Sequence, residues 1–189
     1  MSDDPRSDND LVDAINAGDV DAFEVLYRRY REWAARLARR FTGSDDIAAD
    51  AVQDTFLYFL RQFPGFELRA RLTTFLYPVV KHTAQGIQRK ARRAAPTNVD
   101  DVLPAIEADN DTTVARRSEL AAVIAALPPT QHETVLMRFV DGMAISEIAI
   151  ALGVPTGTVK SRLHNALATL REDPRTRSYF GRDESSQSE

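Results

Sequence analysis

Apolar side chains recur at three- and four-residue intervals through most of this chain, and this spacing predicts α-helices. The clearest example is the segment 21–41, whose apolar stripe consists of Phe23, Leu26, Tyr27, Tyr30, Trp33, Ala34, Leu37 and Phe41. No segment of the sequence shows the strict alternation of apolar and polar residues that indicates a half-buried strand. We therefore predict an all-α fold.

Breaks in this spacing divide the chain into two groups of four predicted helices. The predicted helices are residues 8–17, 21–41, 44–62 and 70–92 in the first group and 114–126, 130–140, 144–152 and 155–171 in the second. Pro78 should kink its helix or remove one backbone hydrogen bond. The segment between the groups is acidic and lacks aromatic residues, as is typical of an extended linker. We predict two small helical domains at 8–95 and 113–173, an acidic flexible linker at 96–112 and a tail at 174–189.

The composition excludes several kinds of site. The chain has no cysteine, which excludes disulfides, cysteine zinc sites and thiol nucleophiles. Its three histidines lie in different predicted helices without metal-ligand spacing, and the sequence has no glycine-rich phosphate loop. We therefore predict no metal, no cofactor and no catalytic site. The N-terminus is polar and acidic, and no apolar run approaches the roughly 20 residues of a membrane span, so we expect a cytoplasmic protein without membrane insertion.

The charges are segregated along the chain. The net charge of −4 is unusual for a DNA-binding protein, because affinity for phosphates comes from lysine and arginine. Two segments, 81–93 and 154–171, nevertheless contain basic residues and no acid, whereas 97–114 contains five acids and no base. This pattern favours two contacts with nucleic acid separated by an acidic segment. The alternative is a pair of solvated helix faces joined by a disordered linker.

The segment 145–163 has the pattern of a helix-turn-helix. Its two helices cross steeply, so their contact point needs a small residue, and Ala149 supplies one. Gly153 suits the positive φ of the tight turn, and Pro155 suits the first turn of the second helix. Val154 and Val159 should fill the core between the helices.

Polar and basic side chains should face outward on the second helix, where they suit phosphates and base edges in a major groove. These candidate DNA-binding residues are Thr156, Thr158, Lys160, Ser161, Arg162, His164 and Asn165. The alternative is a plain helical hairpin with a polar outer face.

Two sets of motifs, in this order along the chain, resemble the extracytoplasmic-function (ECF) family of RNA polymerase sigma factors. The first set resembles sigma domain two and consists of Asp21-Ala22-Phe23, Leu26-Tyr27, Tyr30, the run 49–56, the run 74–77 and Arg89. The second set resembles sigma domain four and consists of Leu127-Pro128-Pro129, the run 135–139, Gly142, Glu147-Ile148-Ala149 and the run 157–163. The resemblance covers about residues 10–171.

The resemblance implies an alternative sigma factor that binds the β and β′ subunits of core RNA polymerase and promoter DNA, and that is controlled by an anti-sigma factor. The residues matching the helix that docks on the polymerase β′ subunit are Asp50, Gln53, Asp54 and Phe56. Those matching the region that separates the strands of the −10 element are Lys81, His82, Arg89, Lys90, Arg92 and Arg93. The segment 63–71 matches the loop that captures an unstacked base, and the second helix of the helix-turn-helix matches the reader of the −35 element.

Two other classes of protein remain open from the residues alone. A stand-alone helix-turn-helix regulator would explain the second domain, but it would leave the 50–56 segment without a role and usually needs a dimerisation element. An enzyme such as a recombinase with an appended DNA-binding domain would need a catalytic constellation. The sequence contains no serine in a nucleophile elbow and no clustered histidines.

Overall fold

The structure, a computed structural model, describes residues 4–94 and 112–176. These residues form eight α-helices and no strand, which confirms the predicted all-α fold. The chain divides into two compact units, residues 1–104 and 105–189. The predicted linker up to residue 111 and the tail from residue 177 lie outside the described residues.

The N-terminal unit contains four helices: α1 (Asp8–Asn16), α2 (Val20–Thr42), α3 (Asp45–Leu60) and α4 (Leu72–Ala94). The last three pack against one another, and α1 packs on α2. Side chains cap three of the helix starts by accepting a backbone N–H: Ser7 for α1, Asp19 for α2 and Ser44 for α3. The bounds therefore follow the capping residues as well as the apolar spacing.

The core of this unit is centred on Phe59, whose side chain is fully buried. Its ring contacts Phe63 and Phe66 at centroid distances of 5.2 Å each, and Phe75 at 5.6 Å. Tyr77 of α4 is also buried, and its ring packs edge-on against Phe41 of α2 at a centroid distance of 6.4 Å. These rings fix the segment that joins α3 to α4 against the helices.

Pro78 lies inside α4 with its side chain on the exposed side, and the helix continues through it to Ala94. The missing N–H therefore removes a single backbone bond without ending the helix. In the described part of the chain, no helix is long and apolar enough to cross a bilayer.

The N-terminal segment is tied to α2 by charged groups. The guanidinium of Arg6 hydrogen-bonds the carboxylate of Asp4 and lowers the pKa of that carboxyl to about 2. Arg29 bridges from α2 to Asp8 and also donates to the backbone oxygen of Arg6, at 3.1 Å. The hydroxyl of Tyr30 donates to Asp8 as well, and burial raises the pKa of this tyrosine. These contacts fix the position of α1 on the bundle.

The C-terminal unit contains α5 (Thr112–Ala125), α6 (Pro129–Phe139), α7 (Ile145–Leu152) and α8 (Thr156–Glu172). Helix α6 packs on both α7 and α8. The core of this unit consists of buried side chains from these helices and from the connection between α6 and α7, among them Val123, Val135, Met137, Met143, Ile148, Val159, Leu163, Ala166 and Leu170. The buried residues of α8 define its inner side, and the opposite side of the helix is exposed to solvent.

Candidate nucleic-acid and partner interfaces

Helices α7 and α8 form a helix-turn-helix through a left-handed glycine. Gly153 adopts φ +64° and ψ +36°, and Val154 N–H donates to the carbonyl of Ala149 at 3.0 Å. Ala149 is buried on α7, and Val159 is fully buried on the inner side of α8. Pro155 is the N-cap of α8 rather than a residue of its first turn, since the helix begins at Thr156.

The outer face of α8 presents the predicted donors and cations. Thr156, Lys160, Ser161, His164 and Asn165 are exposed, and Thr158 and Arg162 are half-buried. Within α8, the acidic residue is Glu172 at the far C-terminal end. The face that would meet DNA is thus basic and rich in hydrogen-bond donors.

The second half of α4 carries a basic surface. His82, Arg89, Lys90, Arg92 and Arg93 are exposed, and Lys81 is half-buried. The ammonium of Lys81 lies 5.9 Å from the centroid of the Phe41 ring, a cation–π distance. At about 1.5 Å of rise per residue, the segment 81–93 spans roughly 18 Å, the length of several nucleotides.

Three of the predicted docking residues lie on the surface of α3, and the fourth does not. Asp50, Gln53 and Asp54 are exposed, whereas Phe56 is only 3% exposed. The ring of Phe56 packs edge-on against Tyr27 at a centroid distance of 4.9 Å. Phe56 therefore supports the surface from beneath and does not present its ring to a partner.

An open apolar groove of about 770 Å³ lies between α2 and α3, beside Gln53. Its rim includes Val20, Leu57 and Leu60, which are 79%, 42% and 44% exposed. Apolar spacing in the 44–62 segment predicts that Leu60 faces the core on the same side as Phe56, and this prediction is wrong for Leu60. The spacing makes no such prediction for Val20. The signal for Val20 was an apolar residue directly after the Asp19 cap, outside the apolar stripe of α2.

The C-terminal unit also exposes large apolar side chains that the sequence analysis did not identify. Phe139 and Val140, at the end of α6, are 61% and 67% exposed, and Ile150 on α7 is 65% exposed. Contiguous exposed apolar side chains are typical of a contact surface, and Phe139 and Val140 are neighbours in the sequence.

The loop between α3 and α4 is joined to α1. The side-chain amide of Asn16 donates to the carbonyl of Phe66 at 2.9 Å and accepts from Gly65 N–H at 2.7 Å. Phe63 and Phe66 are half-buried in the aromatic cluster around Phe59. Their rings are therefore engaged in core packing.

Comparison with known proteins decides between the three classes of protein. The model of Sigma-70 region 2 matches residues 26–94, and the model of Sigma-70 region 4 matches residues 117–170. The chain is 33% identical over 165 residues to the ECF RNA polymerase sigma factor SigM of Mycobacterium tuberculosis (strain H37Rv), covering 87% of this chain and 83% of that protein. The chain belongs to the ECF sigma factor family. It is also 29% identical over 177 residues to the ECF RNA polymerase sigma-E factor of Escherichia coli K12, covering 85% of this chain and 90% of that protein.

Two solved structures share the fold of this sigma factor. CnrH, in complex with the cytosolic domain of CnrY, matches with a TM-score of 0.62 and 22% identity over 86% of this chain and 93% of CnrH. RpoE of Bartonella quintana, in complex with the anti-sigma factor NepR, matches with a TM-score of 0.58 and 21% identity, over 81% of this chain and 96% of RpoE.

As an alternative sigma factor, the protein binds core RNA polymerase and directs promoter-specific transcription. A stand-alone helix-turn-helix regulator is not favoured, because the N-terminal unit also matches a sigma region. Sigma factors are transcription initiation factors rather than classical enzymes.

Proposed function

We propose that this sigma factor divides its task among three surfaces: α3 docks on the polymerase β′ subunit, α4 with the 63–71 loop holds the melted −10 strand, and α8 reads the −35 element. The observation that carries the proposal is the segregation of charge. The segments 81–93 of α4 and 156–171 of α8 carry basic residues and no acid, and α3 carries exposed carboxylates, in a chain with net charge −4.

Helix α8 has the chemistry of a major-groove reader. Its exposed side combines Lys160 and Arg162 with hydroxyl and amide groups, which hydrogen-bond phosphates and base edges. Its buried side, with Val159 and Leu163, fixes the helix on the rest of the unit. A rigid helix that presents donors on one face is what sequence-specific contact requires.

Helix α4 and the neighbouring loop suit a single strand. The exposed arginines and lysine near the C-terminal end of α4 provide contacts to phosphates that do not depend on sequence. Because Phe63 and Phe66 are engaged in the core, the loop would hold an unstacked base by the shape of its cleft and by polar groups rather than by stacking on those rings.

The surface of α3 suits a protein partner. Gln53 borders the apolar groove, whose floor includes Phe56. Asp50 and Asp54 are exposed on the same helix and supply carboxylates. An apolar depression bordered by polar groups is the usual anatomy of a protein interface. We assign this surface to the β′ subunit, and the exposed Phe139, Val140 and Ile150 of the C-terminal unit to the β subunit.

An anti-sigma factor belongs to the same proposal. The RpoE structure contains the anti-sigma factor NepR, and that partner is a property of RpoE. For this chain, we propose an anti-sigma factor that covers the groove between α2 and α3, so that core polymerase and the inhibitor compete for one apolar surface.

The docking assignment is tested with the double variant Asp50→Ala/Gln53→Ala. Removing an exposed carboxylate and an exposed amide from α3 should weaken co-purification with core polymerase while circular dichroism stays helical. Truncations at the centre of an interface commonly cost about 2 kcal/mol or more, so binding should fall at least roughly tenfold.

The matched control is Gln85→Ala/Glu172→Ala, which removes an exposed amide and an exposed carboxylate from α4 and α8. This control should bind core polymerase like the unchanged protein. Equal binding by both double variants would contradict the assignment of α3 to the β′ subunit.

A further inference from the structure

Asn16 joins two parts of the chain that are distant in sequence. It is the last residue of α1, and both polar atoms of its side-chain amide bond to the backbone of the loop 49 and 50 residues further on. The amide nitrogen donates to Phe66 and the amide oxygen accepts from Gly65. An amide is the side-chain group that offers a donor and an acceptor side by side.

The loop has little regular backbone bonding of its own. The bonding of α3 ends where Phe63 N–H donates to Leu60 at 3.2 Å, and that of α4 begins where Thr74 N–H donates to Arg71 at 2.9 Å. Gly65, between these two points, has φ +102°, a conformation that side-chain-bearing residues rarely adopt. The conformation of the loop therefore depends on contacts with other elements.

Two elements supply these contacts from different sides. The rings of Phe63 and Phe66 pack on Phe59 of α3, and Asn16 of α1 binds the backbone of Gly65 and Phe66. Between the loop and α1 lies a cleft of about 580 Å³, with Asn9 and Asp13 of α1 in its lining. This volume is in the range of roughly 300–1,000 Å³ that is usual for small-ligand sites.

We propose that Asn16 is a positioning residue for base selection at the −10 element. By holding Gly65 and Phe66, it fixes the shape of the 63–71 loop, and this shape determines which unstacked base the loop accepts. The inference rests on the proposed function of the loop. Helix α1 has no basic residue in its last turn and carries none of the predicted DNA contacts. The proposal nevertheless makes this helix one of the elements that determine promoter choice.

The test uses Asn16→Asp and Asn16→Ala. Asp keeps the acceptor for Gly65 N–H but places an oxygen opposite the Phe66 carbonyl, so it breaks one bond with almost no change of volume. The matched control is Gln131→Ala, which removes a half-buried side-chain amide from α6, a helix that carries none of the predicted DNA contacts. Each variant is combined with core polymerase, and open-complex formation is measured on promoters carrying each of the four bases at each −10 position.

We expect the Asn16 variants to lose discrimination at one −10 position. The ratio of open complex on the preferred base to that on the other bases should fall about tenfold, the size expected for the loss of one or two neutral hydrogen bonds. Binding to core polymerase should be unchanged, and Gln131→Ala should keep the full ratio. An equal loss on all four bases, or no loss at all, would overturn the proposal, because Asn16 would then contribute only to stability.

A loop variant separates this inference from the function on which it rests. Glu67→Ala/Leu68→Ala changes two side chains that line the cleft and leaves Asn16 in place. If the loop variant changes base preference and the Asn16 variants do not, the positioning role fails alone. If neither changes base preference, base capture by the loop fails as well.

Discussion

At the scale of single residues, exposure distinguishes side chains that the sequence pattern treated alike. On α8, Lys160 is exposed, whereas Arg162 is half-buried. A half-buried guanidinium has fewer accessible conformations and loses less entropy when it binds a base or a phosphate. Arg162 is therefore the side chain of α8 from which we expect the larger contribution to promoter affinity.

The corresponding prediction is that Arg162→Ala weakens binding of the holoenzyme to promoter DNA by about 1–3 kcal/mol, the range for a specific charged contact. Affinity is measured by titration of a labelled promoter at a fixed salt concentration, because phosphate contacts depend strongly on salt. The control is Arg171→Ala, in the last turn of α8, which should change affinity less. If the two variants bind the promoter equally well, the assignment of the Arg162 side of α8 to the DNA contact is wrong.

The burial or exposure of individual side chains was the least predictable feature of this protein. The apolar spacing of α3 placed Phe56 and Leu60 on the same side, and the structure buries Phe56 but leaves Leu60 44% exposed. Spacing defines the centre of an apolar stripe, whereas its edges depend on where the neighbouring helix begins. Helix α2 begins at Val20, next to Leu60, and the sequence of α3 does not contain that information.

At the scale of elements, the sequence was more informative. Helix ends coincide with local chemistry: Ser7 and Ser44 cap α1 and α3, and Gly43 and Gly153 end α2 and α7 in the left-handed conformation. Capping and left-handed glycine are local effects, so they can be predicted without knowing the tertiary fold. The contact between Asn16 and the loop joins residues about 50 positions apart and left no comparable local signal.

Two glycines of the helix-turn-helix should respond to the same substitution with opposite signs. Gly153→Ala should destabilise the protein by about 1–2 kcal/mol, because its φ of +64° is unfavourable for alanine although the added methyl would meet no atom within 4 Å. Gly157→Ala, within α8 and equally open, should stabilise it by up to about 1 kcal/mol. Denaturant unfolding of both variants measures the difference. A gain in stability from Gly153→Ala would contradict the turn geometry.

At the scale of the whole molecule, the distribution of charge matters more than its sum. A protein with net charge −4 gains little from non-specific attraction to DNA, so its basic faces on α4 and α8 need an additional source of affinity. Core polymerase supplies that source for a sigma factor, because binding to the polymerase raises the effective concentration of the DNA-binding surfaces that we propose. The acidic segment 97–111 contributes five of the negative charges. Its role as a flexible linker stays a prediction from the sequence.

Run-off transcription tests this account most directly. The purified chain is combined with core RNA polymerase on templates with randomised upstream sequences, and transcribed templates are sequenced, while parallel gel shifts use the chain without polymerase. The proposed function predicts transcripts only when both proteins are present. The transcribed templates should share two sequence elements, and the chain alone should give no sequence-specific gel shift. Sequence-specific DNA binding by the chain without polymerase would contradict the proposed function. The same holds if core polymerase gives the same transcripts with and without the chain.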